Sequence, residues 1–243
     1  MAQPEDITAA LLVIGDEILS GRTKDKNIGA VADRMTDIGI RLREVRVVAD
    51  EESDIVAAVN ALRARYTYVF TTGGIGPTHD DITADSMAKA FGVPIGIDPR
   101  ARALMQASCD ARGVELTPAR LRMARIPDGA ELVDNPMSIA PGFMLGNVIV
   151  MAGIPDIMQV MLDAVTPNLK TGARLLSESI QIWQPESAIA DLFAEHQRLY
   201  PDVAMGSYPA MRDGKPSVDL VLRATDPERL RQALDTLRAK LMP

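Results

Sequence analysis

The 243-residue chain is apolar-rich and acidic: 47% of its residues are hydrophobic, 4% aromatic, and 33 acidic against 26 basic side chains leave a net charge of −7. That balance argues against general nucleic-acid binding, which draws on counterion release by dense basic surface. The basic residues are scattered, with no run that would mark an RNA or membrane patch.

Cys109 is the single cysteine, so an intrachain disulfide and a cysteine-built zinc site are excluded, and with no adjacent His it does not read as a nucleophile. No apolar segment approaches the roughly 20 residues that span a bilayer. The apolar run 9–14 is too short for a signal segment and runs straight into Asp16 and Glu17. The expectation is a cytoplasmic protein whose partner is a small molecule rather than nucleic acid or membrane.

In chain order, residues 9–14 form a continuous apolar run, as expected of a strand buried on both faces. Asn27 reads as the cap of a helix with Ile28, Val31, Ala32, Met35 and Ile38 on one face, ended by Gly39. A strand follows over 42–48, then a helix with Ile55, Val56, Val59 and Leu62 inward, then a strand over 66–71. Residues 85–91 read as helix, 95–97 as a short extended piece and 99–112 as helix. Residues 143–145 and 148–151 form a hairpin about Gly146 and Asn147. Pro155 opens a helix with Met158, Met161, Leu162, Val165 and Leu169 on one face. The pattern changes at Thr171 and Gly172, dividing the chain into spans 1–170 and 171–243. The second span reads as strand 177–183, helix 185–199, strands 203–208 and 218–224 joined by a Pro/Gly-rich loop 209–216, and a helix capped by Asp226 and Pro227. The fold class is α/β: a parallel-rich sheet between helices, followed by a smaller α+β unit of βαββα order.

Chemistry concentrates in two places. After the third strand come Thr72, Gly73, Gly74, Ile75, Gly76, Pro77, Thr78, His79, Asp80 and Asp81. Strand, glycine turn and helix start together suit a phosphate: glycines admit close backbone approach, and free N–H groups at a helix N-terminus point at negative charge. The turn lacks the Lys-Ser/Thr of a Walker A loop and the third glycine of a dinucleotide fingerprint. Two consecutive carboxylates would repel bare phosphate, which suggests a divalent cation between them or a ligand read through its hydroxyls. After the first strand, Gly15, Asp16 and Glu17 lead to Gly21, Asp25 and Asn27. Ligands of open α/β sheets sit beyond the carboxyl ends of strands, so both loops are expected to face one crevice. Their carboxylates are hard oxygen ligands of the kind that suit Mg²⁺ bridging phosphate oxygens.

These motifs, together with Ala140-Pro141-Gly142, occur in an order that closely resembles the molybdopterin-binding (MoaB/MogA-like) superfamily and, within it, the N-terminal part of the competence/damage-inducible CinA-type proteins. The resemblance covers residues 7 to about 170, and the stretch Gly206-Ser207-Tyr208-Pro209 on a βαββα pattern resembles the small KH-type domain of the same proteins. It implies a three-layer α/β/α fold that binds a nucleotide or pterin pyrophosphate. It implies metal-dependent ADP-ribose pyrophosphatase activity in the CinA type, and molybdopterin binding or adenylyl transfer in the MoaB/MogA type. On this reading Asp16, Asp80 and Asp81 are the catalytic candidates, with Asp16 and Asp81 holding Mg²⁺. Gly15, Asn27, Thr72, Gly73, Gly74, Gly76, Pro77, Thr78, Pro141 and Gly142 are the ligand-binding candidates. A homo-oligomer is expected, because the small unit is near the low end for independent stability.

The chain departs from the family pattern at Ile157, where the resemblance calls for an acid; a shift of one residue to Asp156 rotates a helical side chain by about 100°. Ser138-Ile139 stands where Gly-Thr is usual, and no counterpart of the C-terminal amidohydrolase domain is expected. No Gly-x-x-Gly loop joins the small unit's helices, so its KH-like shape does not imply RNA binding. His79 reads as a loop residue. His196, with Ile189, Leu192 and Phe193, reads as a core or interface histidine.

Overall fold

The computed structural model describes residues 6–241; the outer ends of the two expected spans, 1–5 and 242–243, lie outside them. The chain divides after Gly172 into two compact units. The first runs β1 (Thr8–Ile14), α1 (Asp16–Leu19), α2 (Asn27–Asp37), β2 (Arg41–Val48), α3 (Glu52–Arg63), β3 (Tyr68–Thr72), α4 (Thr83–Phe91), β4 (Ile95–Ile97), α5 (Pro99–Arg112), α6 (Pro118–Leu121), β5 (Arg125–Pro127), β6 (Glu131–Val133), β7 (Gly142–Leu145), β8 (Val148–Met151) and α7 (Pro155–Val165). The second runs β9 (Leu176–Ile182), α8 (Glu186–Leu199), β10 (Ala204–Arg212), β11 (Lys215–Ala224) and α9 (Pro227–Leu241).

Six strands of the first unit form one sheet in the order β2-β1-β3-β8-β7-β6. The pairs β1–β2, β1–β3 and β3–β8 are parallel, and β8–β7 and β7–β6 antiparallel. The continuous apolar character of β1 follows from its place inside the sheet, since successive side chains point to opposite faces and both faces are covered. Ala10, Leu12 and Ile14 pack with Ile55, Val59 and Leu62 of α3, Met87 of α4 and Met105 of α5. Ala9, Leu11 and Val13 pack with Val31 and Met35 of α2 and Met158, Met161 and Leu162 of α7. The result is the expected three-layer α/β/α arrangement. The β7–β8 hairpin turns at Gly146 and Asn147 with φ of +58° at Gly146, the glycine-first pattern of a type II′ turn.

Several local expectations need correction. Asn27 does not cap α2: the Ile28 N–H donates to Asp25 Oδ1 at 2.8 Å, while the Asn27 amide points elsewhere. Helix α4 begins at Thr83 rather than Asp85. Helix α7 ends at Val165, and a 3-10 turn over Thr166–Asn168, where Pro167 ends the ladder, carries Leu169 into the same core. Residues 113–134 carry no periodicity that announces them, yet hold α6, β5 and β6, and β5 pairs with β4 in a separate two-stranded sheet.

In the second unit the order is β10-β11-β9, antiparallel throughout, over a core of Ile180, Ile189, Phe193, Leu220, Leu222, Leu234 and Leu237. The expected loop 209–216 does not exist: β10 and β11 stay paired out to Arg212 and Lys215. They turn at Asp213 and Gly214, both at positive φ (51° and 71°), the Asp-Gly signature of a type I′ hairpin. Pro209 is tolerated because β10 is an edge strand, and Pro216 because β9 pairing begins only at Val218. His196 is fully buried, as a core histidine, with Nε2 2.8 Å from the Ala233 carbonyl oxygen. Among the described residues no helix is long and apolar enough to cross a membrane.

Candidate functional site

The parallel strands β1 and β3 end side by side, so the segments that follow them emerge at one edge of the sheet. After β1 the Gly15 N–H donates to the Val48 carbonyl at 3.1 Å, and Asp16 begins the single turn of α1. The Asp16 N–H, orphaned at that helix start, is taken at 2.9 Å by Oδ2 of Asp50, two residues beyond β2. After β3, Gly73 and Gly74 turn with φ of +104° and +65°. A Cβ at Gly73 would run into the Ile14 carbonyl oxygen, and one at Gly74 into Thr83 Oγ1. Both positions therefore require glycine twice over, by dihedral and by space. The fully buried Thr83 locks the turn: its N–H donates to the Gly74 carbonyl at 3.0 Å and its hydroxyl to the Gly73 carbonyl at 3.0 Å.

A cavity of about 460 Å³ opens here. Gly73, Gly74, Gly76 and Pro77 form one side, Glu17 and Thr23 of the segment after β1 another, and Asn135, Ser138 and Ala140 a third. Ile154, Pro155 and Ile157 supply an apolar wall. The loop over 135–140 is self-closed, with Asn135 Nδ2 donating to the Ala140 carbonyl at 2.7 Å and its Oδ1 accepting from the Ser138 N–H at 3.1 Å.

The sequence candidates divide by position. Gly73, Gly74, Gly76 and Pro77 line the cavity. Thr72, 1% exposed, does not line it, and its hydroxyl has no hydrogen-bond partner among the described residues. Asn27, 4% exposed, is a strut rather than a lining residue: Nδ2 donates to the Gly153 carbonyl at 2.8 Å, which tethers that wall. Gly15 sits against the Glu17 carboxylate, and it is Glu17 that reaches the cavity. Pro141 lines a small cavity of about 20 Å³ that Gly74 and Gly76 also border, and Gly142 lies in β7 where a Cβ would meet the Val150 carbonyl.

The carboxylates need the most revision. Asp81 Oδ2 accepts from the Thr78 N–H at 2.8 Å and from its hydroxyl at 2.5 Å. That carboxylate closes its own loop, an Asx-type use that explains its place without a cation. Asp16 and Asp80 are exposed and do not line the cavity, and their charges, with that of Glu17, act on Asp50. Burial, followed by those neighbouring charges, raises the Asp50 carboxyl above the ordinary range against the lowering effect of the Asp16 N–H. Among the described residues no group of three or more His, Cys, Asp or Glu side chains is placed to hold a metal. The donor set for a resident Mg²⁺ is not assembled. His79 stands in solvent, 3.9 Å from Asp80.

Sequence reading missed Asp50, Met123 and Arg122. Asp50 lies two residues beyond the end of β2, which is parallel to β1, a position the strand-end rule could have singled out. Met123 lines the cavity, and Arg122 donates to the Thr78 carbonyl at 3.2 Å. Both come from the unpatterned stretch after α6, where no local signal exists.

Residues 10–171 match the family described as probable molybdopterin binding domain, and residues 174–243, for which a KH-type shape was expected, match FAD synthase, middle domain. A protein of Aeropyrum pernix is 34% identical over 242 residues, covering 94% of this chain and 90% of the relative. A CinA-like protein of Citrifermentans bemidjiense is 33% identical over 246 residues, which is 96% of this chain but 58% of the relative's length. Among solved structures, the protein CinA of Thermoplasma acidophilum, described as of unknown function, aligns with a TM-score of 0.62 at 33% identity over 68% of this chain and 99% of that one. The chain belongs to the molybdopterin-binding-domain family and, within it, to the CinA-like proteins.

Proposed function

We propose that this protein binds a nucleotide or pterin carrying a pyrophosphate in the cavity at the ends of β1 and β3. The observation that carries the reading is the mixed lining of that single cavity: glycine backbone at Gly73, Gly74 and Gly76 together with the apolar Ile154 and Ile157. Bare backbone ahead of a helix N-terminus suits phosphate, and an apolar wall suits a planar ring. The family description, a molybdopterin-binding domain, supports the pterin within this class.

Ile157 lines the cavity at the position where the resemblance calls for an acid, and Asp81 is committed to Thr78. Both favour binding over metal-assisted hydrolysis. Mg²⁺ would enter only with the ligand's phosphates, since it is commonly held by one or two carboxylates plus phosphate oxygens. Calorimetry with ADP-ribose and with a phosphorylated pterin tests the reading. One of the two is expected to bind in EDTA, and at 100-fold excess over Kd to stabilise the fold by about 2.7 kcal/mol. Ile154→Glu, which places a carboxylate in the cavity wall, is expected to abolish that binding. Binding unchanged in the variant, or by neither ligand, would refute the site. AMP release from ADP-ribose with Mg²⁺, above an Asp16→Ala control, would replace binding by pyrophosphatase chemistry.

A further inference from the structure

A second groove lies between the start of α4 and the segment over 118–125 and shares no lining residue with the cavity just described. Its volume is about 480 Å³, and it is lined by Ile97, Pro118, Leu121, Arg122, Arg125 and Asp85. That volume falls in the range of about 300–1,000 Å³ typical of small-molecule sites. The floor is apolar, and Ile97 at the end of β4 is 49% exposed. Two guanidiniums face one carboxylate. Arg125 is paired with Asp85. Arg122 forms no ion pair among the described residues, and its one hydrogen bond, from Nη2 to the Thr78 carbonyl at 3.2 Å, leaves its other donors free.

In a protein of net charge −7, a guanidinium without a carboxylate partner beside an apolar floor is an anion site in waiting. The backbone contact holds the Arg122 side chain in place without neutralising it. A planar fork so held matches a phosphate in two-point fashion. Inorganic phosphate alone would leave Ile97, Pro118 and Leu121 uncovered, so the complementary ligand carries an apolar body behind its charged head.

We propose that this groove binds a phosphate monoester on an apolar or aromatic body, the phosphate on Arg122 with Arg125 beside it and the body on Ile97, Pro118 and Leu121. Arg122 and Arg125 also border the small cavity against Gly74 and Gly76, but the groove and the main cavity share no lining residue, so the test reads the two ligands at separate residues.

The test is a titration of the full chain with phenyl phosphate, followed by methyl NMR, with inorganic phosphate in a parallel arm. The Ile97 and Leu121 methyl resonances are expected to shift saturably with phenyl phosphate. Arg122→Gln, an exposed substitution that leaves the core untouched, is expected to raise Kd at least tenfold, and Arg122→Lys to recover part of the loss. Inorganic phosphate is expected to bind more weakly than phenyl phosphate. Shifts confined to Ile154 and Ile157 would place the probe in the main cavity and overturn the proposal. Unchanged affinity in Arg122→Gln, or inorganic phosphate binding as tightly as phenyl phosphate, would overturn it as well.

Discussion

Asp50 shows how a single side chain can set the electrostatics of a loop. Its carboxylate holds the Asp16 N–H at 2.9 Å, yet burial and the charges of Asp16, Glu17 and Asp80 push its pKa up. A carboxyl whose folded pKa exceeds its unfolded value favours folding below the unfolded pKa, about 4, and loses that contribution as pH rises through the folded value. Asp50→Asn keeps an oxygen for the Asp16 N–H and removes the charge. The variant is expected to be more stable than the parent at pH 7, with the difference shrinking toward pH 4 in urea titrations, and to bind anionic ligands a few-fold more tightly. Equal stability at pH 7 would show that the Asp50 charge is already compensated. The neighbouring glycines were legible from sequence because their requirement is local: a turn at positive φ between a strand and a helix. The role of Asp81 was not, because an aspartate that binds Thr78 and one that binds a cation look alike in one dimension.

At the scale of elements, capping decides where helices begin, and the two kinds of cap here differ in how they could be read. In α9 the cap is contiguous: Asp226 Oδ1 accepts from the N–H groups of Glu228 at 2.9 Å and Arg229 at 3.1 Å, with Pro227 at the first helical position. Asp226→Ala is expected to cost about 1 kcal/mol, read as a lower urea midpoint of the small unit with an unchanged slope. No change in midpoint would mean that water serves those N–H groups equally well. In α1 the corresponding N–H is served by Asp50 from 34 residues away, which no local pattern reports. The hairpin of β10 and β11 makes the opposite point. Pro209, Gly214 and Pro216 look like loop composition, but only Asp213 and Gly214 turn the chain. Proline is compatible with an edge strand and with a strand end, so composition overstated the loop.

At the scale of the whole molecule, the two units have separate cores, and the small one carries a titratable group inside its own. His196 is fully buried beside Tyr200, and burial, with a further contribution from the Lys240 charge, lowers its pKa against the raising effect of the Ala233 carbonyl. Its Nδ1 has no hydrogen-bond partner among the described residues. With the folded pKa depressed, the unfolded chain binds the extra proton first. Stability from neutral His196 is therefore complete above about pH 6.5 and declines as pH falls toward the folded pKa. Melting of the small unit, followed by Trp183 fluorescence, is expected to shift downward between pH 7 and pH 5, and His196→Phe to flatten that dependence. A variant as acid-sensitive as the parent would assign the effect to other groups.

The sequence by itself determined the alternation of strands and helices, the burial of β1 on both faces, the glycine turn and the change of pattern near residue 172. Each is written in contiguous residues, as periodicity, propensity or turn chemistry. It also carried the family, because the motifs keep their order along the chain. Only the tertiary structure decided which segments share a cavity and what each polar side chain serves. Asn27 braces Gly153 across 126 residues, Arg122 reaches Thr78 across 44, and Asp81 turns back on its own loop. The first two contacts depend on where the sheet order brings distant segments together, and the third on which of several partners a loop carboxylate takes; side-chain identity alone encodes neither.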